Sequence, residues 1–240
     1  MSSPALSSQA QQFIDSVVTL RPKLAAFDCD GTLWSGDAGK DFFYWEMERG
    51  FIAPELAEAM RARYALYEAG QVEEEPMCAE MVTMNTGIPS DVLYRAARQF
   101  FEDVVRPRIF DEMMQLTLRL KQQGCELWAV SSTNNWLIEC AAEQFGITRD
   151  HVLAACVHLE NGCASDRILR VPTDELKAVA IGEVIGRPVD AVFGNSIHDY
   201  AMLEIAKWPF CVNPNPDLQK LAEKHGWPVY MPERLASQTR

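Results

Sequence analysis

Two carboxylates near the start of the chain have a spacing that could support phosphate chemistry. Asp28 and Asp30 are separated by one residue and follow the short apolar run 24–27, with Gly31 and Thr32 directly after them. Two acids this close repel each other, and a divalent cation would offset the repulsion and bring a phosphate with it. Because oxygen ligands suit Mg²⁺ better than zinc, the pair indicates a Mg²⁺ site. There Asp28 could attack phosphorus, and Asp30 could move protons to and from oxygen.

Polar residues in three later segments could complete such a site. Ser131 and Ser132 could bind phosphate oxygens at the start of a helix, where main-chain amides are free. Lys177 could offset negative charge on the attacked phosphoryl group. Asn195 and Asp199 could complete metal binding, directly or through water. The expected metal ligands are therefore Asp28, the main-chain carbonyl of Asp30, Asn195 and Asp199.

Alternating strands and helices would bring these segments together. Strands are predicted over residues 24–27, 125–130, 152–158, 163–169, 189–193, 209–213 and 228–230. Helices are predicted over 9–20, 110–123, 134–145, 173–185, 199–206 and 216–225, with Thr173 as the cap of the fourth. Asn161-Gly162 predicts a tight hairpin between the third and fourth strands. The pattern favours an α/β fold with a Rossmann-like, doubly wound parallel sheet, in which ligands bind beyond the carboxyl ends of the strands.

The segment 36–107 has a different character. It is rich in Ala, Glu, Met and Arg, it has helical periodicity, and Gly and Pro divide it into about four helices. We therefore expect a helical cap inserted after the first strand. The predicted domains are a Rossmann-like core formed by residues 1–35 and 108–240 and a helical cap formed by residues 36–107.

The composition limits the partners of this chain. Its 240 residues include 22 Lys and Arg against 34 Asp and Glu, a net charge of −12 that argues against a nucleic-acid surface or a polybasic membrane anchor. No apolar run reaches the roughly 18 residues of a membrane helix. Seven Cys without metal-site spacing, and a polar start at residues 1–12, favour a cytoplasmic chain. A small phosphorylated metabolite is the expected partner, and the oligomeric state stays open.

Four motifs resemble those of a known superfamily. Asp28-Cys29-Asp30-Gly31-Thr32, Ser131, Lys177 and the segment 194–199 follow the order of the four motifs of the haloacid dehalogenase superfamily. The helical insert is similar to the cap of its phosphoserine-phosphatase-like branch. The resemblance implies a Mg²⁺-dependent phosphatase that works through an aspartyl-phosphate, with Asp28 as nucleophile and Asp30 as acid–base. It also argues against halide removal, because the dehalogenases of the family lack the second acid.

Two departures from the family pattern concern the metal and the substrate. Many relatives have Asp where this chain has Asn195, so we expect weaker Mg²⁺ binding. Asp37 matches an acid that binds the substrate amine in phosphoserine-specific relatives, but no Arg near Met81 matches their carboxylate-binding one. This difference argues against phosphoserine as the substrate. Trp34 and the aromatic residues after it indicate an apolar or cationic portion of the substrate.

Simpler explanations exist for the same residues. Asp37 could do no more than cap the first helix of the insert, Ser132 could do no more than cap the helix at 134–145, and Asn195 and Asp199 could be ordinary loop and cap residues. Two further functions also fit the motifs. One is a phosphotransferase that passes the phosphoryl group to an acceptor alcohol. The other is a catalytically weak regulatory or binding homologue.

Overall fold

The described residues, 6–233, form an α/β structure around one seven-stranded sheet in this computed structural model. The strands are β1 Leu24–Phe27, β2 Glu126–Asn134, β3 Val152–Glu160, β4 Cys163–Arg170, β5 Ala191–Gly194, β6 Trp208–Val212 and β7 Val229–Tyr230. Their order is β4-β3-β2-β1-β5-β6-β7, and every pair is parallel except β3 with β4. The predicted mostly parallel sheet and the Asn161-Gly162 hairpin are therefore confirmed.

The described residues contain ten α-helices, of which some cover the sheet and others form the helical insert after β1. They are α1 Ser8–Thr19, α2 Ala38–Glu48, α3 Pro54–Glu68, α4 Glu74–Thr83, α5 Ser90–Phe100, α6 Asp111–Gln122, α7 Asn135–Ala142, α8 Glu175–Ala180, α9 Tyr200–Glu204 and α10 Pro216–His225. No helix within residues 6–233 is long and apolar enough to span a bilayer.

Strand β1 is apolar because it is buried on both faces of the sheet. All four of its residues are buried, and the strand lies at the centre of the sheet between β2 and β5. On one face Phe27 stacks on Phe193, with ring centres 4.4 Å apart, and Phe193 stacks on Phe210 at 5.0 Å. Helices α1, α6 and α7 cover this face, while α8, α9 and α10 cover the other. Strand β1 therefore holds Asp28, the residue that directly follows it, in a fixed position.

Several element boundaries differ from the prediction. Strand β2 continues from residue 130 to Asn134, because it keeps pairing with β3 through an irregular register between Ser131 and Asn134. The helix predicted at 134–145 has its α-helical part at α7 and ends through a short 3₁₀ turn. The helix predicted at 173–185 begins at Glu175 with Asp174 as its cap residue, and it continues as a π-helical turn over 181–185. The predicted cap Thr173 instead has a buried hydroxyl without a partner among the described residues.

The helical insert packs on its own apolar cluster and also on the core. Phe43, Met77 and Met84 are buried in that cluster with neighbouring residues of α2, α3 and α4. The loop before α5 is bound to the β3–β4 hairpin by main-chain hydrogen bonds, among them Gly87 N to Ala164 O at 2.8 Å. The division into core and cap at residues 36 and 107 stays a prediction, and the predicted core extends at both chain ends beyond the described residues.

Candidate active site

Asp28 lies at the carboxyl end of the central strand and is only 6% exposed. Its amide donates to the Phe193 carbonyl of β5 at 2.8 Å, which fixes the main chain. Its Oδ1 accepts from the Lys177 ammonium at 2.8 Å, and its Oδ2 accepts from the Thr32 hydroxyl at 2.9 Å. Burial and the charge of Asp199 raise the pKa of Asp28 to about 7, although Lys177 opposes this shift.

Lys177 joins two carboxylates beneath the site. Its Nζ lies 2.8 Å from Asp28 Oδ1 and 2.5 Å from Asp199 Oδ1, and the residue is 2% exposed. Burial alone would lower the pKa of Lys177, but the charges of Asp199 and Asp28 outweigh it and hold the pKa above its ordinary value. The ammonium therefore stays charged at the point where a phosphoryl group would meet Asp28.

Asp199 positions Lys177 and lies away from the open site. Its Oδ2 accepts from the amides of Asn195 at 2.8 Å and Ser196 at 3.0 Å, while its Oδ1 binds Lys177. A Cβ at Gly194 would lie 2.6 Å from the Asp199 Cβ, so only glycine allows this approach. Asp199 is wholly buried and both its oxygens are occupied, and its part in metal binding, directly or through water, stays a prediction.

Asp30 is held by three donors, which separates its role from that of Asp28. Its Oδ1 accepts from the Trp34 indole and from the Ala38 amide, both at 2.7 Å, and its Oδ2 accepts from the Thr133 hydroxyl at 2.8 Å. Burial raises the pKa of Asp30 more than these three bonds lower it. A carboxyl group fixed in this way can hold a proton and release it.

Trp34 is predicted to contact the substrate, but its side chain does not reach the open site. The residue is 0% exposed and packs in the core, where its indole N–H orients Asp30. Thr133 has a similar orienting role, which the sequence does not predict. The residue in the sequence that could have indicated this contact is Gly39. A Cβ there would lie 2.4 Å from the Thr133 hydroxyl oxygen. This glycine lets α2 approach the end of β2.

A cavity of about 220 Å³ opens above Asp28 and Asp30. Lys177, Ser132 and Asn195 line its inner part. Ser131 is 2% exposed and lies behind the wall, where its Oγ accepts from the Thr133 amide at 3.2 Å. Ser132 therefore lines the cavity directly, and phosphate binding by Ser131 stays a prediction.

Asp37 belongs to the outer part of the cavity and also caps α2. Its Oδ1 accepts from the Lys40 amide at 2.8 Å, so the simpler explanation as a helix cap holds alongside its place on the cavity wall. The side chain opens to the cavity, yet the protein around it withdraws water from the carboxylate. This desolvation, followed by the charge of Asp30, raises the pKa of Asp37 to about 7.

The oxygen donors at the inner end fit a Mg²⁺ ion that keeps some of its water. Asp28 and Asn195 both line the cavity, and the Asn195 side-chain amide has no hydrogen-bond partner within residues 6–233. Its position is fixed by a close approach, since a Cβ at Gly31 would lie 1.9 Å from Asn195 Nδ2. The described residues contain no group of three or more His, Cys, Asp and Glu side chains suited to a metal. A site with few protein ligands suits Mg²⁺, which retains water and binds substrate phosphates.

Comparisons with known proteins identify the family and the fold. Residues 25–204 match the family model described as haloacid dehalogenase-like hydrolase. A histidinol-phosphatase of Neisseria meningitidis is 23% identical over 217 residues, which are 86% of this chain and 97% of that protein.

Solved structures share the fold. A protein of unknown function from Bordetella pertussis superposes with a TM-score of 0.75 at 23% identity, over 86% of this chain and 97% of its own. A substrate-bound phosphoserine phosphatase superposes with a TM-score of 0.58 at 16% identity, over 87% of this chain and 92% of its own.

Proposed function

The chain belongs to the haloacid dehalogenase-like hydrolases, and on that premise we propose that it is a Mg²⁺-dependent phosphatase of small phosphomonoesters. The observation that carries the proposal is the pair of acids on the cavity floor with different surroundings. Asp28 is bound by a lysine, whereas Asp30 is bound by three neutral donors. Two carboxyl groups with different environments can act as nucleophile and as acid–base. The histidinol-phosphatase relative supports the same class of reaction.

In the first step, an Asp28 oxygen attacks the phosphorus of the ester. A bond forms between that oxygen and phosphorus, and the bond from phosphorus to the ester oxygen breaks. Asp30 gives its proton to the departing oxygen, so that an alcohol leaves rather than an alkoxide. Lys177 and Ser132 bind oxygens of the phosphoryl group while it is transferred.

In the second step, Asp30 accepts a proton from water as the water attacks the aspartyl-phosphate. The acyl–phosphate bond breaks, Asp28 is restored and inorganic phosphate leaves. Asp28, Asn195 and the main-chain carbonyl of Asp30 would hold the Mg²⁺ ion. When bound, the cation supplies positive charge to the phosphate oxygens. Asp199 keeps Lys177 charged and in place throughout.

The direct test is hydrolysis of p-nitrophenyl phosphate with Mg²⁺, with and without a chelator. We expect turnover that the chelator abolishes and that falls by about 10³-fold or more in Asp28→Asn. Asp103→Asn, a change at an exposed aspartate that does not line the cavity, is the matched control and should keep its activity. Turnover that survives in Asp28→Asn, or that ignores the chelator, contradicts the proposal. Transfer to an added alcohol in place of water would identify a phosphotransferase instead.

A further inference from the structure

A second cavity, of about 320 Å³, lies where helix α5 of the insert meets α7 and the β3–β4 hairpin. Ser90 and Tyr94 of α5, Asn135 and Glu139 of α7, and residues of β3 and β4 line it. Within residues 6–233, no residue lines both this cavity and the cavity of the candidate active site. We call this separate space the hairpin cavity, and the reaction proposed above does not use it.

Arg170, the last residue of β4, lines the hairpin cavity with a charge that the protein around it does not offset. Its guanidinium forms no ion pair with a carboxylate of the described residues, and its Nε is buried without a partner there. Its Nη2 donates to Cys156 Sγ at 3.9 Å. Burial raises the pKa of Cys156 more than Arg170 lowers it, so the thiol is neutral and brings no negative charge. A guanidinium in this state lacks an acceptor.

The other charged side chains of the hairpin cavity are paired or exposed to water. Arg149 Nε lies 3.9 Å from Glu139, and its guanidinium lies 4.7 Å from the centre of the Tyr94 ring. The Tyr94 hydroxyl and the Asn135 side-chain amide donate to Glu139 at 2.5 Å and 2.9 Å. Asp150 is exposed, so water screens its carboxylate. Across the described lining, the charge left to offset is therefore the single positive charge of Arg170.

Apolar side chains form much of the remaining lining. Leu159, Leu169 and Val184 line the hairpin cavity and are 53%, 56% and 47% exposed. Exposed apolar groups gathered at one cavity lower the free energy of a ligand that covers them. Because they share the cavity with an arginine, the lining suits a molecule with an apolar chain and one anionic end.

We propose that the hairpin cavity binds an aliphatic monocarboxylate, with the carboxylate on Arg170 and the chain against Leu159 and Leu169. A carboxylate is planar and presents two oxygens, which match two N–H donors of a guanidinium. Its one negative charge equals the charge that Arg170 leaves open. An alcohol of the same length would bring no charge, and an amine would add to the repulsion. This inference goes beyond the proposed function and does not depend on it.

Hexanoate is the probe for this site, and calorimetry with the full chain measures its binding. Acetate keeps the charge but lacks the chain, and 1-hexanol keeps the chain but lacks the charge. We expect hexanoate to bind at least about ten-fold more tightly than either of them. Hexanoate that does not bind, or that binds no more tightly than acetate or 1-hexanol, overturns the proposal.

Substitutions on β4 localise the binding. Arg170→Gln should weaken hexanoate binding by about ten-fold or more, because the charge and the paired donors are lost. Arg167→Gln is the matched control, since Arg167 lies on the same strand, is exposed and does not line the cavity. Hexanoate should raise the Tm of the wild type and of Arg167→Gln but not that of Arg170→Gln. Unchanged binding in Arg170→Gln assigns hexanoate to another place and overturns the proposal.

Two further measurements keep the test independent of folding and of the active site. Arg170→Lys keeps the charge but loses the paired donors, so we expect binding weaker than in the wild type even where Arg170→Gln fails to fold. Unchanged affinity in Arg170→Lys contradicts the paired contact. Saturating inorganic phosphate with Mg²⁺ should leave hexanoate binding unchanged, whereas competition would place hexanoate in the active-site cavity and overturn the proposal. None of these results requires phosphatase turnover, so the proposed function can fail while the hairpin cavity still binds hexanoate.

Discussion

At the residue scale, the pair Asp28 and Asp30 could be predicted from the sequence, but what distinguishes their roles could not. The motif places two acids after a buried strand, and their local spacing is visible in the printed residues. The donors that hold Asp30 come from positions 34, 38 and 133, and only the folded chain brings the last of these within 2.8 Å. Side-chain orientation across distant segments has no local signal, which is why the sequence predicts neither the buried position of Trp34 nor the contact of Thr133 with Asp30.

Thr133→Val should reveal the acid role of Asp30. Loss of the hydroxyl leaves one Asp30 oxygen without its donor, so the carboxyl can turn away from the departing oxygen. We expect about a ten-fold loss for alkyl phosphates, which need protonation, and a much smaller loss for p-nitrophenyl phosphate. Steady-state kinetics with both esters provides the measurement. Thr86→Val, at an exposed threonine, is the control. Equal losses for both esters would contradict a role of Thr133 in proton transfer.

Asn195→Asp should lower the Mg²⁺ concentration that half-maximal activity requires. The Asn195 side chain lines the cavity beside Asp28, so a carboxylate there adds negative charge at the expected metal site. Cation affinity rises with the charge of its ligands, and we expect about a ten-fold change. Titration of activity with Mg²⁺ gives the value directly. An unchanged or increased requirement would mean that Asn195 does not contact the cation.

The raised pKa of Asp37 predicts how selectivity depends on pH. The group has a pKa of about 7, so its carboxylate is charged above that pH and becomes neutral as the pH falls through it. Because only the charged form attracts an ammonium group, the ratio of kcat/KM for ethanolamine phosphate to that for propyl phosphate should fall between about pH 8 and pH 6. The ionisation of the two phosphate groups contributes equally to the ratio in the wild type and in a variant, so the comparison between them isolates the protein group. Asp37→Asn should make the ratio much less dependent on pH, and an equally steep profile in this variant would assign it to another group.

At the scale of elements, the sequence predicts all seven strands, but it does not predict the boundaries that tertiary contacts set. The sequence 24–27 is wholly apolar and ends at an acid, and Asn161-Gly162 has the residues of a tight hairpin, so both were found. The extension of β2 to Asn134 depends on β3 beside it, and its polar residues look like a loop in isolation. Likewise, the start of α8 depends on Asp174, which has a positive φ of 46° and contacts His198.

The close approach of α2 to the end of β2 predicts the effect of one methyl group. A Cβ at Gly39 would lie 2.4 Å from the Thr133 hydroxyl oxygen and 3.3 Å from Asp37 Oδ1. Gly39→Ala should therefore lower the free energy of unfolding by about 1–3 kcal/mol and reduce turnover, because Thr133 must move from Asp30. Urea unfolding and kinetics with alkyl phosphates measure the two effects.

Gly182→Ala is the matched control for this prediction. Gly182 lies in the π-helical turn after α8, has no atom within 4 Å of a built Cβ and has no positive φ. The added methyl group should leave turnover unchanged and raise the free energy of unfolding by up to about 1 kcal/mol. Comparable losses in both variants would mean that the Gly39 effect does not come from contact with Thr133.

At the scale of the whole molecule, a net charge of −12 surrounds a site that must accept a phosphate. Lys177 is buried and paired with two carboxylates, so it contributes little positive potential beyond the cavity. The surface field therefore repels anions at long range, and a phosphate gains favourable contacts only once it is inside. The repulsion acts on every phosphate of a long polyanion, whereas it acts on only one phosphate of a small ester.

This difference in range makes ionic strength a test of how the substrate approaches. Raising it from about 0.01 M to about 0.15 M shortens the screening length from about 30 Å to about 8 Å. At saturating Mg²⁺, kcat/KM for propyl phosphate should then increase, by about two- to three-fold, because screening weakens the repulsion of a dianion. Ethanolamine phosphate carries a compensating positive charge and should respond less. Two different salts separate screening from specific ion effects. A decrease for propyl phosphate would show instead that an attractive local field controls its approach.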